Sequence, residues 1–191
     1  FQTVAVNQAH TILRDHNGVI IADVVGLGKT YIGAALLKQL SNQGQRATVF
    51  CPPSLVPMWS DFNSVFGLNA EIVSLGKIVG VNPVNLNEPK FQTRDRTIVL
   101  IDESHRLKNS NSETYRNVSA YSNGRKCILL TATPYGTKSR DVYSQIKLFA
   151  DDDIDLSLTP PRLNDFFKAV ENGNASLSDV LKPLMIRRTR S

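Results

Sequence analysis

Val19-Ile20-Ile21-Ala22, Asp23-Val24-Val25-Gly26-Leu27-Gly28 and the helical pattern running from about Lys29 to Leu40 form the stretch on which the fold turns. The first four residues are a short β-branched run, the next six a glycine-rich turn, and the remainder a helix. Where a strand hands over to a helix through such a turn, backbone N–H groups and the positive helix end converge on one spot, which suits a polyphosphate. Lys29 would reach the β and γ phosphates as a point charge, and the Thr30 hydroxyl would ligate Mg²⁺. The generic phosphate-loop pattern has a Gly six residues before the Lys, and Asp23 occupies that position here. A glycine turn that merely starts a helix is the competing reading of Gly26 to Thr30.

Working outward, the same unit recurs. Phe1 to His16 carries apolar residues at helical spacing, and Asn17-Gly18 supplies a stop suited to a left-handed cap. Ala47 to Cys51 reads as a buried strand broken by Pro52-Pro53, with Ser54 as the cap of a helix reaching Phe66. Ala70 to Leu75 is a further strand candidate, and Gly76 to Arg96 a long loop with one short element at most. Thr97 to Ile101 and Cys127 to Leu130 are apolar runs flanked by helical patterns at Ser112 to Tyr121 and Arg140 to Phe149. Strands alternating with helices predict a mainly parallel sheet covered on both faces, a three-layer α/β/α sandwich.

Composition narrows the class. The 191 residues, 41% of them hydrophobic, fit one domain with a sizeable core. The longest apolar runs fall far short of the roughly 18 to 20 residues of a spanning helix, so no membrane segment is expected. Cys51 and Cys127 sit in apolar stretches without a metal-ligand spacing and read as reduced core thiols of a cytoplasmic protein. Four of the five net positive charges come from Lys182, Arg187, Arg188 and Arg190, which leaves the rest of the chain near neutrality. Charge alone therefore does not make a nucleic-acid binder. The acidic cluster Asp151, Asp152, Asp153 and Asp155 reads as a solvated connection, and the absence of an initiator Met as the mark of a piece of a longer protein.

The second chemical signal is Ile98-Val99-Leu100-Ile101-Asp102-Glu103-Ser104-His105, a hydrophobic strand ending in two adjacent carboxylates. At the C-terminal edge of a sheet, beside a phosphate loop, Asp102 can hold Mg²⁺ through its water shell while Glu103 accepts a proton from the attacking water. Two acids that simply cap the next helix are the bland alternative, and pairing with Lys29 favours the chemical one. Trp59 and Phe62, three apart on one helix face, read as core packing rather than base stacking. His10 and His16 read as surface helix residues.

With these residues in view, the chain resembles the first RecA-like lobe of a superfamily-two helicase or translocase, closest to the Swi/Snf type. Asp23 to Thr30 resembles that family's motif I, in which an Asp commonly replaces the first Gly. Phe50 to Leu55, continued by Trp59 and Phe62, resembles motif Ia, and Asp102 to His105 with Arg106-Leu107-Lys108-Asn109 resembles motif II. Leu129 to Pro134 resembles motif III, and Leu181 to Arg190 the basic segment closing the first lobe. Ser104 departs from the usual Ala of motif II and Ala132 from a frequent Gly; together with Val24-Val25 they point to a bacterial branch rather than a nucleosome remodeller.

The resemblance implies a P-loop NTPase that binds ATP and Mg²⁺ and hydrolyses ATP when nucleic acid is engaged, DNA being favoured over RNA. It implies nucleotide contacts from Gln2, Val25, Gly26, Leu27, Gly28, Lys29 and Thr30, metal ligation by Thr30 and Asp102, and catalysis by Glu103 and Lys29. His105, Thr131 and Thr133 would couple hydrolysis to movement, and Ser54 would touch the nucleic-acid backbone. Residues 1–191 would be a single lobe, with the second lobe and its transition-state arginine elsewhere, so the lobe alone should bind nucleotide far better than it turns it over. A non-catalytic nucleotide-binding scaffold and a small-molecule P-loop kinase are the alternatives. Lys29, Thr30, Asp102 and Glu103 argue against the first, and the Thr131 to Pro134 segment against the second.

Overall fold

Alternation in the strands decides the layering. Val19 and Ile21, Val49 and Cys51, Ile98 and Leu100, Ile128 and Leu130 face one core; Ile20, Phe50, Val99, Ile101, Cys127 and Leu129 face the other. With period two and both sets apolar, each strand is buried on both faces, as a parallel sheet requires. The computed structural model describes residues 2–23, 28–132 and 138–188, leaving aside the side chains of Gln2, Asp23 and Arg188.

Six strands, β1 (Gly18–Asp23), β2 (Arg46–Cys51), β3 (Glu71–Ser74), β4 (Arg96–Asp102), β5 (Lys126–Thr131) and β6 (Met185–Arg188), form one sheet in the order β3-β2-β4-β5-β1-β6. Every pairing is parallel. Helices α1 (Gln2–His16), α2 (Gly28–Asn42) and α3 (Val56–Phe66) supply Leu13, Leu36 and Trp59 to the first core. Helices α4 (Glu113–Ser122), α5 (Ser139–Ile146), α6 (Leu163–Glu171) and α7 (Leu177–Leu184) supply Val118, Ile146, Phe167 and Val180 to the second. The three-layer α/β/α expectation is met.

Local chemistry explains the boundaries. Asn17 adopts φ 59° between α1 and β1, the left-handed conformation expected of it. Gly18 follows because the chain runs against Phe149: a Cβ at Gly18 would lie 2.1 Å from that ring. Ser112 caps α4, its Oγ accepting from the Tyr115 N–H at 3.1 Å.

Two expectations need correction. Ser54 does not cap the helix that reaches Phe66. It lies within a 3₁₀ turn, Pro53–Leu55, and α3 begins at Val56 with Leu55 as its N-cap and no side-chain cap. Pro57 in the first turn, with φ already helical and no N–H to satisfy, sets that start. The long loop contains two 3₁₀ turns, Leu75–Lys77 and Pro89–Phe91, rather than one element. It is fastened by the buried Arg96, whose guanidinium donates at 2.6 Å to both the Lys90 and Ala47 carbonyls. The basic segment begins in α7 and continues from Met185 to Arg188 as β6, pairing Arg187 with Ala22 and Arg188 with Asp23. In the acidic connection Asp151, Asp153 and Asp155 are exposed, as expected, whereas the half-buried Asp152 accepts from the Tyr143 hydroxyl at 2.9 Å and pairs with Lys147 at 3.5 Å.

Candidate active site

The C-terminal ends of β1, β5 and β4 lie side by side, with Ala22 level with Thr131 and Leu130 level with Asp102. In open α/β sheets ligands bind at this edge. β1 leads toward α2, which begins at Gly28 and carries the buried Lys29 and Thr30 in its first turn. β4 delivers Asp102 and Glu103, and β5 delivers Thr131.

Glu103 is the hub. Its Oε1 lies 3.3 Å from Lys29 Nζ and its Oε2 lies 3.2 Å from His105 Nδ1. Thr131 Oγ1 lies 3.5 Å from the same imidazole nitrogen, at the edge of hydrogen-bond range. Nδ1 therefore faces the carboxylate and the Thr131 hydroxyl together, its donor or acceptor role being set by the tautomer. Four residues, one from α2, two from the turn after β4 and one from β5, thus form one contiguous polar chain. Glu103 reaches both neighbours from a left-handed backbone, φ 53° and ψ 47°, that turns the chain sharply out of β4.

Asp102 is 1% exposed. Its Oδ2 accepts the Trp59 indole N–H at 2.9 Å and its Oδ1 accepts the Glu103 backbone N–H at 2.8 Å. Burial nonetheless raises its pKa above the ordinary carboxylate range, the two hydrogen bonds acting the other way. The Cys51 thiol, at the end of the neighbouring strand β2, is pushed up to about 12, first by burial and then by the Asp102 charge.

The donor set suits Mg²⁺. Among the described residues no three His, Cys, Asp or Glu side chains converge as a metal cage. Mg²⁺ bound with a nucleotide does not need one, because one carboxylate, phosphate oxygens and water complete its shell. Asp102 keeps a second lone pair on each oxygen, and a nearby cation would offset the desolvation that burial imposes.

Of the expected site residues, Lys29, Glu103, His105 and Thr131 are brought together directly, and Asp102 adjoins them through the Glu103 backbone. Gly28 and Thr30 sit in the first turn of α2. Ser54 is exposed on the turn before α3, in contact with none of these residues. Val25, Gly26, Leu27, Thr133 and the Gln2 side chain lie outside the described residues. Two grooves of about 770 and 850 Å³ lie elsewhere, one between the long loop and α4, the other at the N-terminal strand ends.

Sequence reading missed two partners. Trp59 was read as packing, and it is fully buried, yet its N–H is committed to Asp102. A buried indole needs an acceptor, which was the available signal. Gln145 on α5, also buried, accepts from Ser104 Oγ at 2.8 Å. Ser104 is the departure from Ala in motif II, and Gln145 supplies the partner its buried hydroxyl needs.

A family model described as the SNF2-related domain matches residues 78–191. YqhH, an uncharacterized ATP-dependent helicase of Bacillus subtilis (strain 168), is 29% identical over 156 residues, 73% of this chain and 28% of the relative. Chromodomain-helicase-DNA-binding protein 1-like of Mus musculus is 26% identical over 222 residues, covering 100% of this chain and 24% of that protein. The chain thus spans about a quarter of the length of these curated relatives. In fold it is similar to the Sulfolobus solfataricus SWI2/SNF2 ATPase core solved in complex with dsDNA, with a TM-score of 0.71 at 18% identity over 98% of this chain and 43% of that one. The matched segment holds β4 with Asp102 and Glu103, β5 with Thr131, and the closing strand β6, and the chain belongs to the SNF2-related domain family.

Proposed function

We propose that this chain is the ATP-binding lobe of a motor that moves along double-stranded DNA, hydrolysing ATP when joined to a second RecA-like lobe of the same protein. The observation that carries the reading is the Glu103 hub, one carboxylate held between the α2 ammonium and an imidazole that reaches β5. Glu103 holds Lys29 in place. When the nucleotide phosphates draw Lys29 to themselves, Glu103 is released to orient and deprotonate a water in line with the γ phosphate. His105, on the other carboxylate oxygen, passes that change to Thr131 and so to the segment after β5. Lys29 then offsets charge gathering on the phosphoryl oxygens.

Thr30 and Asp102 would hold Mg²⁺, which supplies neutralisation of the β and γ phosphate charge when bound. Val25, Gly26, Leu27 and Gly28 contribute backbone N–H groups to the phosphates, Gln2 reads the adenine, and Thr133 shares in coupling. Ser54, exposed before α3, contacts the DNA backbone. DNA over RNA follows the dsDNA complex of the Sulfolobus protein and a DNA repair protein of Schizosaccharomyces pombe, rhp54, 28% identical over 225 residues. No helix among the described residues is long and apolar enough to cross a membrane, and two buried free thiols fit a reducing compartment, the cytoplasm.

Calorimetry of this chain with Mg²⁺-ATP tests the site: binding is expected, and Lys29→Ala should abolish it because one ammonium and its phosphate hydrogen bonds are lost. Equal affinity of the two proteins would remove Lys29 from the site. Hydrolysis by the protein carrying both lobes, measured with double-stranded DNA, single-stranded DNA and RNA in turn, tests the partner. Stimulation by RNA alone would overturn the DNA assignment.

A further inference from the structure

Trp59 is the only tryptophan of the chain, and it is 0% exposed in the first turn of α3. Its Nε1 donates to Asp102 Oδ2 at 2.9 Å across 43 residues of sequence. The other carboxylate oxygen is held by the neighbouring Glu103 N–H at 2.8 Å. The final torsion of an Asp side chain is broad and nearly two-fold, so one bond from an adjacent residue leaves the carboxylate plane free to rock. A second bond, from a separate element and on the other oxygen, fixes it.

Trp59 is itself immobilised. Its ring stands edge-on to Phe62 at 6.0 Å, and Phe62 meets Phe66 at 5.5 Å and Tyr31 at 5.2 Å. Tyr31 is the residue after Thr30 on α2. The aromatic row therefore joins the helix that offers the indole to the helix that offers the hydroxyl.

From this geometry we infer that Trp59 is a positioning residue for Asp102, orienting its carboxylate toward the divalent cation that accompanies the nucleotide. The inference rests on the proposed nucleotide site. Partners of this kind behind a metal ligand are typically worth about 10- to 100-fold in metal affinity or activity.

Trp59→Phe keeps an aromatic ring in the core and removes the donor together with part of the indole's volume, and comparing affinities with and without the metal separates the two effects. Affinity for the non-hydrolysable analogue AMP-PNP is measured by calorimetry in EDTA and again in Mg²⁺, and the ratio gives the gain due to the metal. In W59F the EDTA affinity should be unchanged while the Mg²⁺ gain falls about tenfold. Asp102→Asn should lose the same gain, and adding W59F to it should lose nothing more. A uniform weakening in both media would mean general damage to the fold and would overturn the inference, as would a W59F gain equal to wild type. Should wild type itself show no gain from Mg²⁺, the nucleotide–metal reading fails and the inference with it. If W59F does not fold, the emission of Trp59 in the wild-type chain decides. It should change when Mg²⁺ is added to the AMP-PNP complex and not in Asp102→Asn, and an unchanged wild-type emission would overturn the positioning role.

Discussion

Glu103→Gln should bind ATP more tightly than wild type while hydrolysing it far more slowly. Lys29 Nζ and Glu103 Oε1 are 3.3 Å apart, on side chains 10% and 25% exposed. At that separation, with an effective dielectric of about 20, the gross attraction is about 5 kcal/mol. Most of it offsets the desolvation of both groups, and exposed pairs retain only about 0.2 to 1 kcal/mol. A pair this sheltered sits near the top of that range, at about 1 kcal/mol. Incoming phosphate must displace the carboxylate from Lys29, so this is the free energy that ATP binding gives up. Gln keeps the shape and an oxygen that His105 can still face, but it carries no charge. Removing the competitor should tighten binding by about fivefold. Repulsion between Glu103 and the γ phosphate disappears at the same time and acts in the same direction. Turnover in the two-lobed protein should fall by about 10² or more, because the base is gone. Calorimetry with Mg²⁺-AMP-PNP at two salt concentrations reads the first effect, and phosphate release reads the second. Weaker or equal binding by E103Q would refute the competition between carboxylate and phosphate, and unchanged turnover would mean that another residue positions the water.

Gly18→Ala should destabilise the fold by about 1 to 3 kcal/mol in urea denaturation, since the new Cβ would meet the Phe149 ring at 2.1 Å; Phe149→Leu in the same chain should recover part of the loss. Asp102, with its folded pKa raised by burial, keeps its proton to higher pH in the native than in the unfolded chain. Stability should therefore fall as pH rises from the ordinary carboxylate range through the raised value and then level off. Urea midpoints from about pH 4 to 7 should show that fall in wild type and lack it in Asp102→Asn, and parallel curves would exclude Asp102 as its source. Duplex affinity of the two-lobed protein should drop steeply with salt and vary little with sequence. A preference above about 4 kcal/mol for one duplex, measured by fluorescence anisotropy, would replace the motor with a sequence-specific reader.

Residues whose role depends on their immediate neighbours were legible in the sequence. Val19 to Ala22 followed by glycines and Lys29, or Ile98 to Ile101 followed by Asp102 and Glu103, each state a strand, its end and its chemistry within one short window. The parallel sheet follows from the same runs, since strands apolar on both faces need helices on both sides. Ser54 misled because the preference of Ser for helix N-caps is an average, whereas Pro53 and Pro57 impose their own backbone angles and shift the helix start to Val56. Leu163, Phe166, Phe167 and Val170 in α6, and Leu177, Val180, Leu181 and Leu184 in α7, carry helical spacing that was there to be read. In α7 the basic residues that follow, and Pro183 within it, concealed the pattern. β6 was hidden by its own composition: two of its four residues are Arg, which an edge strand tolerates because one side of it faces no neighbouring strand.

What no window could reveal is the pairing of distant side chains, and Glu103 shows why that pairing matters. A left-handed backbone costs a residue with a Cβ about 1 to 2 kcal/mol, and glycine would take φ 53° at almost no cost. Stability alone would favour Gly at this position. Glu is strained there, and the same turn brings one carboxylate within 3.3 Å of an ammonium on α2 and 3.2 Å of an imidazole two residues on. Those contacts offset the strain, and the proposed nucleotide site would make that support conditional, since phosphate on Lys29 would withdraw one of the two. On the proposed reading, His105 and Thr131 would then be the remaining anchor of Glu103, which would let the nucleotide state change the load on β5.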